Sequence, residues 1–236
     1  MSAVTETLLK TLGDALALDT RACERFELYA SLLSQWNKKF NLTAITEPSA
    51  VAVKHFADSL MLLKYIDVPD GASVIDVGTG AGFPGVALLI ARNDIKLTAI
   101  DGTGKKLGFV RMLLEQRGLD AEVVHIRAEE AGQSKAFRES FDIATARAVA
   151  SLNELSEYCL PFVRTGGTFA PMKGAAADDE LKAARSAVKL LGGEITGVKS
   201  FTLPDCGERC IINIKKISQT PPKYPRPSAQ IAKKQL

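Results

Sequence analysis

The stretch VIDVGTGAGFPGVALLIA, residues 74–91, decides the fold, because it joins two apolar runs through a loop rich in glycine. The loop holds four glycines within the eight residues from Gly78 to Gly85, and Asp76 stands just before it. An apolar run that ends in such a loop and continues as an apolar helix is typical of the first strand, turn and helix of a ligand-binding α/β sheet. Glycines let the chain turn tightly and let a ligand approach the backbone.

Most of the chain continues this alternation of strands and helices. Apolar runs predict strands at 72–78, 97–101, 121–126, 141–148 and 167–173, and helices that start at Pro84 and Lys105 or cover 151–163 and 178–192. Such alternation predicts an α/β fold, a doubly wound and mostly parallel sheet with helices on both faces. Two later runs, 194–203 and 210–217, are close enough in sequence to pair antiparallel at the sheet edge.

The first 70 residues predict a helical cap that precedes the sheet. Apolar positions recur every three or four residues in 26–40 and again in 46–66, where we expect Thr46 to be the N-cap and Pro48 to lie in the first turn. We therefore expect three parts. They are a helical cap at 1–70, a sheet domain at 71–217 and a basic, proline-rich tail at 218–236.

The composition is that of a globular chain, with 236 residues, 46 % hydrophobic and 24 % charged, and a net charge of +3. No apolar run reaches the ~18 residues of a membrane span, and the N-terminus has no signal-peptide pattern. Four scattered cysteines and two histidines argue against a disulfide framework or a metal site. We expect a reduced, cytoplasmic, monomeric protein without a membrane partner.

The tail carries a local excess of positive charge. From Ile211 onward the chain has six basic residues and no acid. Its prolines disfavour a helix or a central strand. Two interpretations stay open, a floppy solubilising end and an arm that neutralises phosphates.

The ligand of the glycine loop has two main candidates. Read from Gly80, the loop matches the dinucleotide pattern G-x-G-x-x-G, and Asp101 ends the next strand 21 residues later, which suits NAD. The complete pattern is D-x-G-x-G-x-G, and a carboxylate such as Asp76 would repel a pyrophosphate but suits the ammonium and sulfonium of S-adenosylmethionine. No tyrosine is followed four residues later by lysine, the pair of short-chain dehydrogenases. Glycines that serve only helix–sheet packing would leave these strand-end acids unexplained.

We therefore expect S-adenosylmethionine, with Asp101 on its ribose hydroxyls. The end of the third strand, 127–130, would lie beside the adenine. Glu129 and Glu130 also fit a pair of solvated acids at a helix start, and the residues alone do not choose between these interpretations.

The segment after the fourth strand indicates the methyl acceptor. Methyl transfer from a sulfonium mainly needs alignment and exclusion of water. This segment, after 141–148, lacks the cysteine of cytosine C5 methylation and the Asp/Asn-Pro-Pro-aromatic turn of amine methylation, and Arg147 stands there instead. This fits a ring nitrogen such as guanine N7, which has a free lone pair. Arg147 lies at the ligand-binding edge of the sheet, with an ion pair to Asp142 or Glu154 as the alternative. Lys173, on the same edge, fits a ligand contact or a solvated loop.

Several motifs together resemble one family. They are WNKKFNLTAIT (36–46), KHFADSL (54–60), VIDVGTGAGFPG (74–85), RAEE (127–130), ARAVASL (146–152), MKG (172–174), CGER (206–209) and the YPR of the tail. In this order they resemble the bacterial RsmG (GidB) family over nearly the whole chain. The resemblance implies a Rossmann-like class I methyltransferase that uses S-adenosylmethionine. It also implies methylation of N7 of one guanine in the decoding-region loop of 16S rRNA, in the small ribosomal subunit or its precursor. Loss of this activity in bacteria is associated with low-level streptomycin resistance.

The resemblance also implies roles for single residues. Gly78 and Phe83 would contact the cofactor from the loop, Ala128 and Glu129 would lie against the adenosine, and Arg147 would act near the transferred methyl. With the residue-based candidates, the expected cofactor site comprises Asp76, Gly78, Gly80, Phe83, Asp101, Ala128, Glu129 and Arg147. Candidate phosphate contacts are Lys38, Lys39, Lys173, Arg209 and Arg226.

The segment IDGTGKKLGFV departs from the family pattern of Asp-Ser before a lysine-arginine helix start. Each glycine inside a helix costs about 0.5–1 kcal/mol relative to alanine. We therefore expect this helix to start late, at Lys105, with a weaker case for the ribose contact of Asp101. His55 and Asp58, one helical turn apart, are expected to form a local orienting pair rather than a catalytic base. The alternative functions are a non-catalytic ribosome-assembly factor that binds S-adenosylmethionine, and an NAD-dependent oxidoreductase.

Overall fold

The computed structural model describes residues 2–174 and 177–236 and contains a seven-stranded sheet. The strands are β1 (Ser73–Val77), β2 (Lys96–Asp101), β3 (Ala121–His125), β4 (Phe141–Arg147), β5 (Val163–Gly174), β6 (Gly193–Leu203) and β7 (Gly207–Lys216). Their order is β3-β2-β1-β4-β5-β7-β6, in which β1 to β5 run parallel and β7 pairs antiparallel with both β5 and β6. The predicted parallel sheet with an antiparallel edge is confirmed.

The helices expected from the sequence are present with shifted ends, and a further helix, α10, forms in the tail, where the prolines led us to expect none. They are α1 (Ala3–Leu12), α2 (Thr20–Phe40), α3 (Pro48–Val51), α4 (Asp58–Tyr65), α5 (Gly85–Ala91), α6 (Gly104–Arg117), α7 (Ala128–Gln133), α8 (Leu152–Cys159), α9 (Ala177–Leu190) and α10 (Ser228–Lys233). A π-helical segment, Ala52–Ala57, joins α3 to α4. Within the described ranges, no helix is both long and apolar enough to cross a membrane.

The start of α3 corrects one prediction. The N-cap is Glu47 rather than Thr46, because the Glu47 carboxylate accepts hydrogen bonds from the N–H groups of Ser49 (3.0 Å) and Ala50 (2.6 Å). Pro48 follows at the first helical position, where its missing N–H has no partner to lose. The helix α6 begins at Gly104, one residue before the expected start, and Thr103 provides no side-chain cap.

The cap packs on one face of the sheet and thereby reaches the glycine loop. Phe26, Tyr29 and Phe56 are fully buried in one hydrophobic cluster with Val86 of α5 and Phe109 of α6. Burying each such ring contributes roughly 1.5–3 kcal/mol. Because α5 follows the loop directly, this packing fixes the cap side chains beside the carboxyl ends of β1 and β4. Strand order reverses at that point, where open α/β sheets bind ligands.

The tail is folded, and the interpretation of a floppy end is wrong. Tyr224 and Ile231 are buried, and α10 forms beyond the prolines. The Arg138 guanidinium donates to the carbonyl oxygens of Thr220 (2.7 Å) and Tyr224 (2.7 Å), and to that of Gly132 in α7 (2.9 Å). The proline-rich residues 217–227 form no helix or strand, and side chains from the sheet domain hold them instead.

Candidate functional site

Two neighbouring cavities open at the carboxyl edge of the sheet. The larger one, here the central cavity, has a volume of about 690 Å³ and lies between the glycine loop, the cap and β7. The smaller one, here the outer cavity, has a volume of about 390 Å³ and lies between the ends of β1, β2 and β3. Gly78, Lys106 and Ala148 line both cavities, so the two meet at the start of the glycine loop.

A buried carboxylate, that of Asp76, holds the glycine loop by hydrogen bonds. Asp76 is fully buried, and its Oδ2 accepts hydrogen bonds from the Thr79 hydroxyl (2.6 Å) and the Gly85 N–H (2.8 Å). Its Oδ1 has no hydrogen-bond partner among the described residues. Burial raises the pKa of Asp76 to about 6, despite these two hydrogen bonds. The side chain that we expected near the cofactor therefore lies beneath the loop and holds its two ends together.

Gly78, at the junction of the two cavities, has a backbone conformation and a close neighbour that both favour glycine. Its φ is +72°, and a Cβ atom at this position would lie 2.8 Å from Cγ2 of Val149. Val149 belongs to the β4–α8 loop, residues 148–151, which covers the start of the glycine loop, and its side chain is 41 % exposed. The two loops therefore approach each other at contact distance, and a side chain at position 78 would have to displace the Val149 methyl group.

The outer cavity gathers four of the predicted cofactor residues, Gly78, Asp101, Ala128 and Glu129. The Asp101 carboxylate accepts the N–H of Gly80 (2.9 Å) at one oxygen and that of Thr103 (2.7 Å) at the other. These bonds fix the acid at the cavity wall, so the glycines after it do not displace it. Gly80 contributes its backbone N–H to this acid.

The central cavity is built on an aromatic stack. The Phe83 ring is parallel to Tyr29 (centroids 5.0 Å apart) and to His55 (4.6 Å), and the Arg147 guanidinium lies 5.2 Å from its centroid. The Tyr29 hydroxyl donates to the Ala81 carbonyl at 2.5 Å. The cap thus clamps the glycine loop through Tyr29, a contact that the sequence offered no signal to find.

The hydrogen-bond partners of the Arg147 guanidinium come from the cap. Its Nη1 donates to Asp58 Oδ2 (2.7 Å) and to the His55 carbonyl (3.3 Å), and its Nη2 lies 3.5 Å from His55 Nδ1. The alternative partners are wrong, because Asp142 instead binds Ser73 and Arg164, and Glu154 accepts the Tyr158 hydroxyl. The expected His55–Asp58 pair is brought together through Arg147, which contacts both.

The His55 ring is half-buried in the wall of the central cavity. Burial, with the nearby Arg147 charge, lowers the pKa of His55 to about 4. Its Nε2 lies 2.8 Å from the Thr43 hydroxyl. The ring is therefore neutral near pH 7, and the π-helical segment that carries it is a common way to place a side chain at a functional site.

Lys173 is not a solvated loop lysine. Its Nζ donates to the Ala150 carbonyl (2.8 Å) and pairs with Glu180 Oε2 (2.7 Å), and its side chain is 12 % exposed. Glu180 also accepts the Leu152 N–H (2.8 Å), so this ion pair braces the β4–α8 loop from behind. Arg209 faces the central cavity, with Nε 3.8 Å from Asp58 Oδ1.

The remaining candidates lie apart from these groups. Lys38 and Lys39 are exposed at the end of α2. Arg226 of the tail forms a bidentate pair with Glu157 of α8, with Nη2 2.6 Å from Oε2, so its expected role in RNA binding stays a prediction. Across residues 2–174 and 177–236, no cluster of three or more His, Cys, Asp or Glu side chains could hold a metal ion.

This sheet order, the glycine loop and the cavities at its edge define a Rossmann-like class I methyltransferase. Solved structures share the fold. An O-methyltransferase from Thermotoga maritima matches with a TM-score of 0.56 at 15 % identity, over 80 % of this chain and 73 % of that one. TrmN from Thermus thermophilus matches with a TM-score of 0.54 at 19 % identity, over 67 % and 48 %.

The family model described as rRNA small subunit methyltransferase G (GidB) matches residues 22–210, and this chain belongs to that family. A ribosomal RNA small subunit methyltransferase G from Geobacillus sp. is 47 % identical over 222 residues, which cover 93 % of this chain and 92 % of the relative. The corresponding protein from Bacillus velezensis is 46 % identical over 224 residues, 94 % of each chain. The resemblance read from the motifs is confirmed.

Proposed function

We propose that this protein transfers a methyl group from S-adenosylmethionine to N7 of one guanine in the decoding-region loop of 16S rRNA. The observation that carries the proposal is Arg147, a cation fixed by Asp58 and His55 where the central cavity meets the loop. Membership of the family and its near-complete coverage support the substrate. An rRNA substrate places the work in the cytoplasm, and we propose that the protein acts as a monomer.

The residues of the outer cavity fit an adenosine. Gly78 forms a cradle that any Cβ would fill, and the carboxylates of Asp101, Glu129 and Glu154 line the wall. Ribose hydroxyls and the adenine amine are hydrogen-bond donors, which carboxylates accept. The Oδ1 of Asp76, which has no hydrogen-bond partner among the described residues, adds a negative atom beneath the loop.

The reaction requires little acid–base catalysis from the side chains of the protein. S-adenosylmethionine, when bound, supplies a methyl group on a positively charged sulfur. Guanine N7 offers its lone pair directly and has no proton to lose. The neutral His55 therefore fits a positioning role, since its lowered pKa leaves it without a charge near pH 7. Arg147 would orient the base, and the Phe83 stack would exclude water.

The test is methylation of purified small subunits that lack the modification. Labelled S-adenosylmethionine, nuclease digestion and mass spectrometry should detect one N7-methylguanosine per subunit. Arg147→Lys should lower kcat about 100-fold, because an ammonium lacks the planar fork with which the guanidinium contacts Asp58 and His55 together. Arg164→Lys is the matched control, since that arginine pairs with Asp142 and is 51 % exposed.

Two results would contradict the proposed function or the proposed role of Arg147. If the protein binds S-adenosylhomocysteine but methylates neither subunits nor precursors, the proposal fails and the non-catalytic assembly factor remains. If Arg147→Lys is fully active, Arg147 is a structural residue only.

A further inference from the structure

One aromatic side chain is exposed to solvent two residues before Leu42, which lines the central cavity. Phe40, the last residue of α2, is 44 % exposed. Within the described part of the chain, it is the one aromatic residue among the large exposed hydrophobic side chains, and the others are aliphatic. Single exposed apolar residues are common on protein surfaces, so the surroundings of Phe40 have to decide its role.

The Phe40 ring is supported from behind by other aromatic rings. Trp36, one helical turn earlier, has its ring centroid 5.2 Å from that of Phe40, at an interplanar angle of 37°. Trp36 in turn contacts Phe109, which is fully buried in α6, at 5.7 Å. Aromatic pairs at such distances restrict each other's motion. The exposed part of Phe40 is therefore the outer end of a packed stack.

A short clamp fixes this stack relative to the central cavity. The Asn37 side chain donates to the Thr43 carbonyl and accepts the Thr43 N–H, both at 2.8 Å. The chain turns between them through Asn41, whose φ is +50°. The Thr43 hydroxyl then contacts His55 Nε2. Phe40 is thus connected to the residues that hold Arg147 through hydrogen bonds and not through a mobile loop.

The surface around the ring is positively charged. Lys38 and Lys39 are exposed directly before Phe40. Lys54, Lys106 and Arg209 line the central cavity, together with Leu42 and Thr43, which follow Phe40 in the chain. An exposed ring on a basic surface is how proteins bind unpaired nucleotides, since the ring stacks on a base and the cations contact phosphates.

We propose that Phe40, supported by Trp36, is a stacking platform for an unpaired RNA base that neighbours the methylated guanine. This inference rests on the proposed function for the identity of the RNA. The base stacks on the exposed part of the Phe40 ring, Lys38 and Lys39 contact the adjoining phosphates, and the target base is thereby aligned with the central cavity.

The chain provides its own probe, because Trp36 is its single tryptophan. An RNA hairpin that carries the decoding-region loop should change Trp36 emission in a saturable manner, and a fully paired duplex of equal length should not. Phe40→Ala should weaken hairpin binding about 5- to 100-fold and abolish the emission change, and Phe40→Tyr should restore both. Ile217→Ala, which shortens a side chain that is 53 % exposed, is the matched control.

The platform is refuted if Phe40→Ala binds the hairpin as tightly as the unaltered chain, or if Phe40→Leu restores binding as fully as tyrosine does. S-adenosylhomocysteine affinity should stay unchanged in all of these variants. Normal methylation with an unchanged KM for the small subunit in Phe40→Ala refutes the platform alone. Hairpin binding that depends on Phe40, in a protein that methylates no guanine, refutes the proposed function alone.

Discussion

Replacing Arg226 with methionine should destabilise the protein, because Glu157 would lose its partner inside the fold. Glu157 is 1 % exposed and accepts three hydrogen bonds from Arg226, from Nε (2.8 Å), Nη2 (2.6 Å) and the backbone N–H (2.9 Å). After the substitution only the backbone bond remains. An uncompensated buried charge costs about 3–5 kcal/mol, and we expect the lower end, about 3 kcal/mol, because the Arg226 side chain is 20 % exposed.

The assay is thermal and urea unfolding at pH 7. In a chain of this length, about 3 kcal/mol corresponds to a fall in Tm of roughly 6–12 °C. Lys234→Met is the matched control, since it removes the same charge from an exposed position of the tail, and it should stay within about 0.5 kcal/mol of the unaltered protein. Adding Glu157→Gln to Arg226→Met should recover part of the loss, because it removes the unpaired charge.

One result would refute this reasoning. If Arg226→Met leaves Tm unchanged but weakens RNA binding more than Lys234→Met does, Arg226 acts as the phosphate contact that the sequence suggested. The ion pair with Glu157 would then contribute nothing measurable to stability.

Two further predictions concern the glycine loop. Because the pKa of Asp76 is raised, the folded chain binds an extra proton between about pH 4 and 6, and the free energy of unfolding falls as the pH rises through this range. Because the pKa of His55 is lowered, the unfolded chain binds the extra proton between about pH 4 and 6.5, and the free energy of unfolding rises there. Urea unfolding should therefore show a nearly flat profile that His55→Gln turns downward and Asp76→Asn turns upward, and three parallel profiles would contradict it. Gly78→Ala should weaken S-adenosylhomocysteine binding about tenfold in calorimetry, because of the Val149 contact. Gly71→Ala, with a similar φ of +67° and open space, is the control, and equal affinities of the two variants would refute the steric argument.

The sequence predicted those features whose residues lie close together in the chain. The segment from Asp76 to Gly85 joins strand, turn and helix over a short length of chain, so its pattern was sufficient. The partner of Arg147 was out of reach, because Asp58 lies 89 residues away and belongs to the cap. The same holds for the contact of Tyr29 with the loop, 52 residues apart. Residue types and spacing indicate which side chains gather at a sheet edge, and they do not indicate which of them neutralise each other.

The tail shows more clearly that sequence patterns do not identify partners that are distant in the chain. Its prolines correctly excluded a strand, but order came from donors elsewhere in the chain, such as Arg138, which lies 82 and 86 residues before the carbonyls that it binds. The sequence did not decide whether Lys173 is exposed to solvent, since its partner Glu180 comes from the following helix.

The folded tail also sets an order of events during synthesis. Translation produces residues 217–236 after the whole sheet. Pro225 nevertheless packs against Gly132 of α7, where a Cβ atom on Gly132 would lie 2.8 Å from the Pro225 Cγ. Arg226 is bound to Glu157 of α8. Both helices carry wall residues of the outer cavity, Glu129 and Tyr158. In a nascent chain the sheet can form while this wall still lacks its outer support. The cavity is completed by residues that leave the ribosome after the whole sheet.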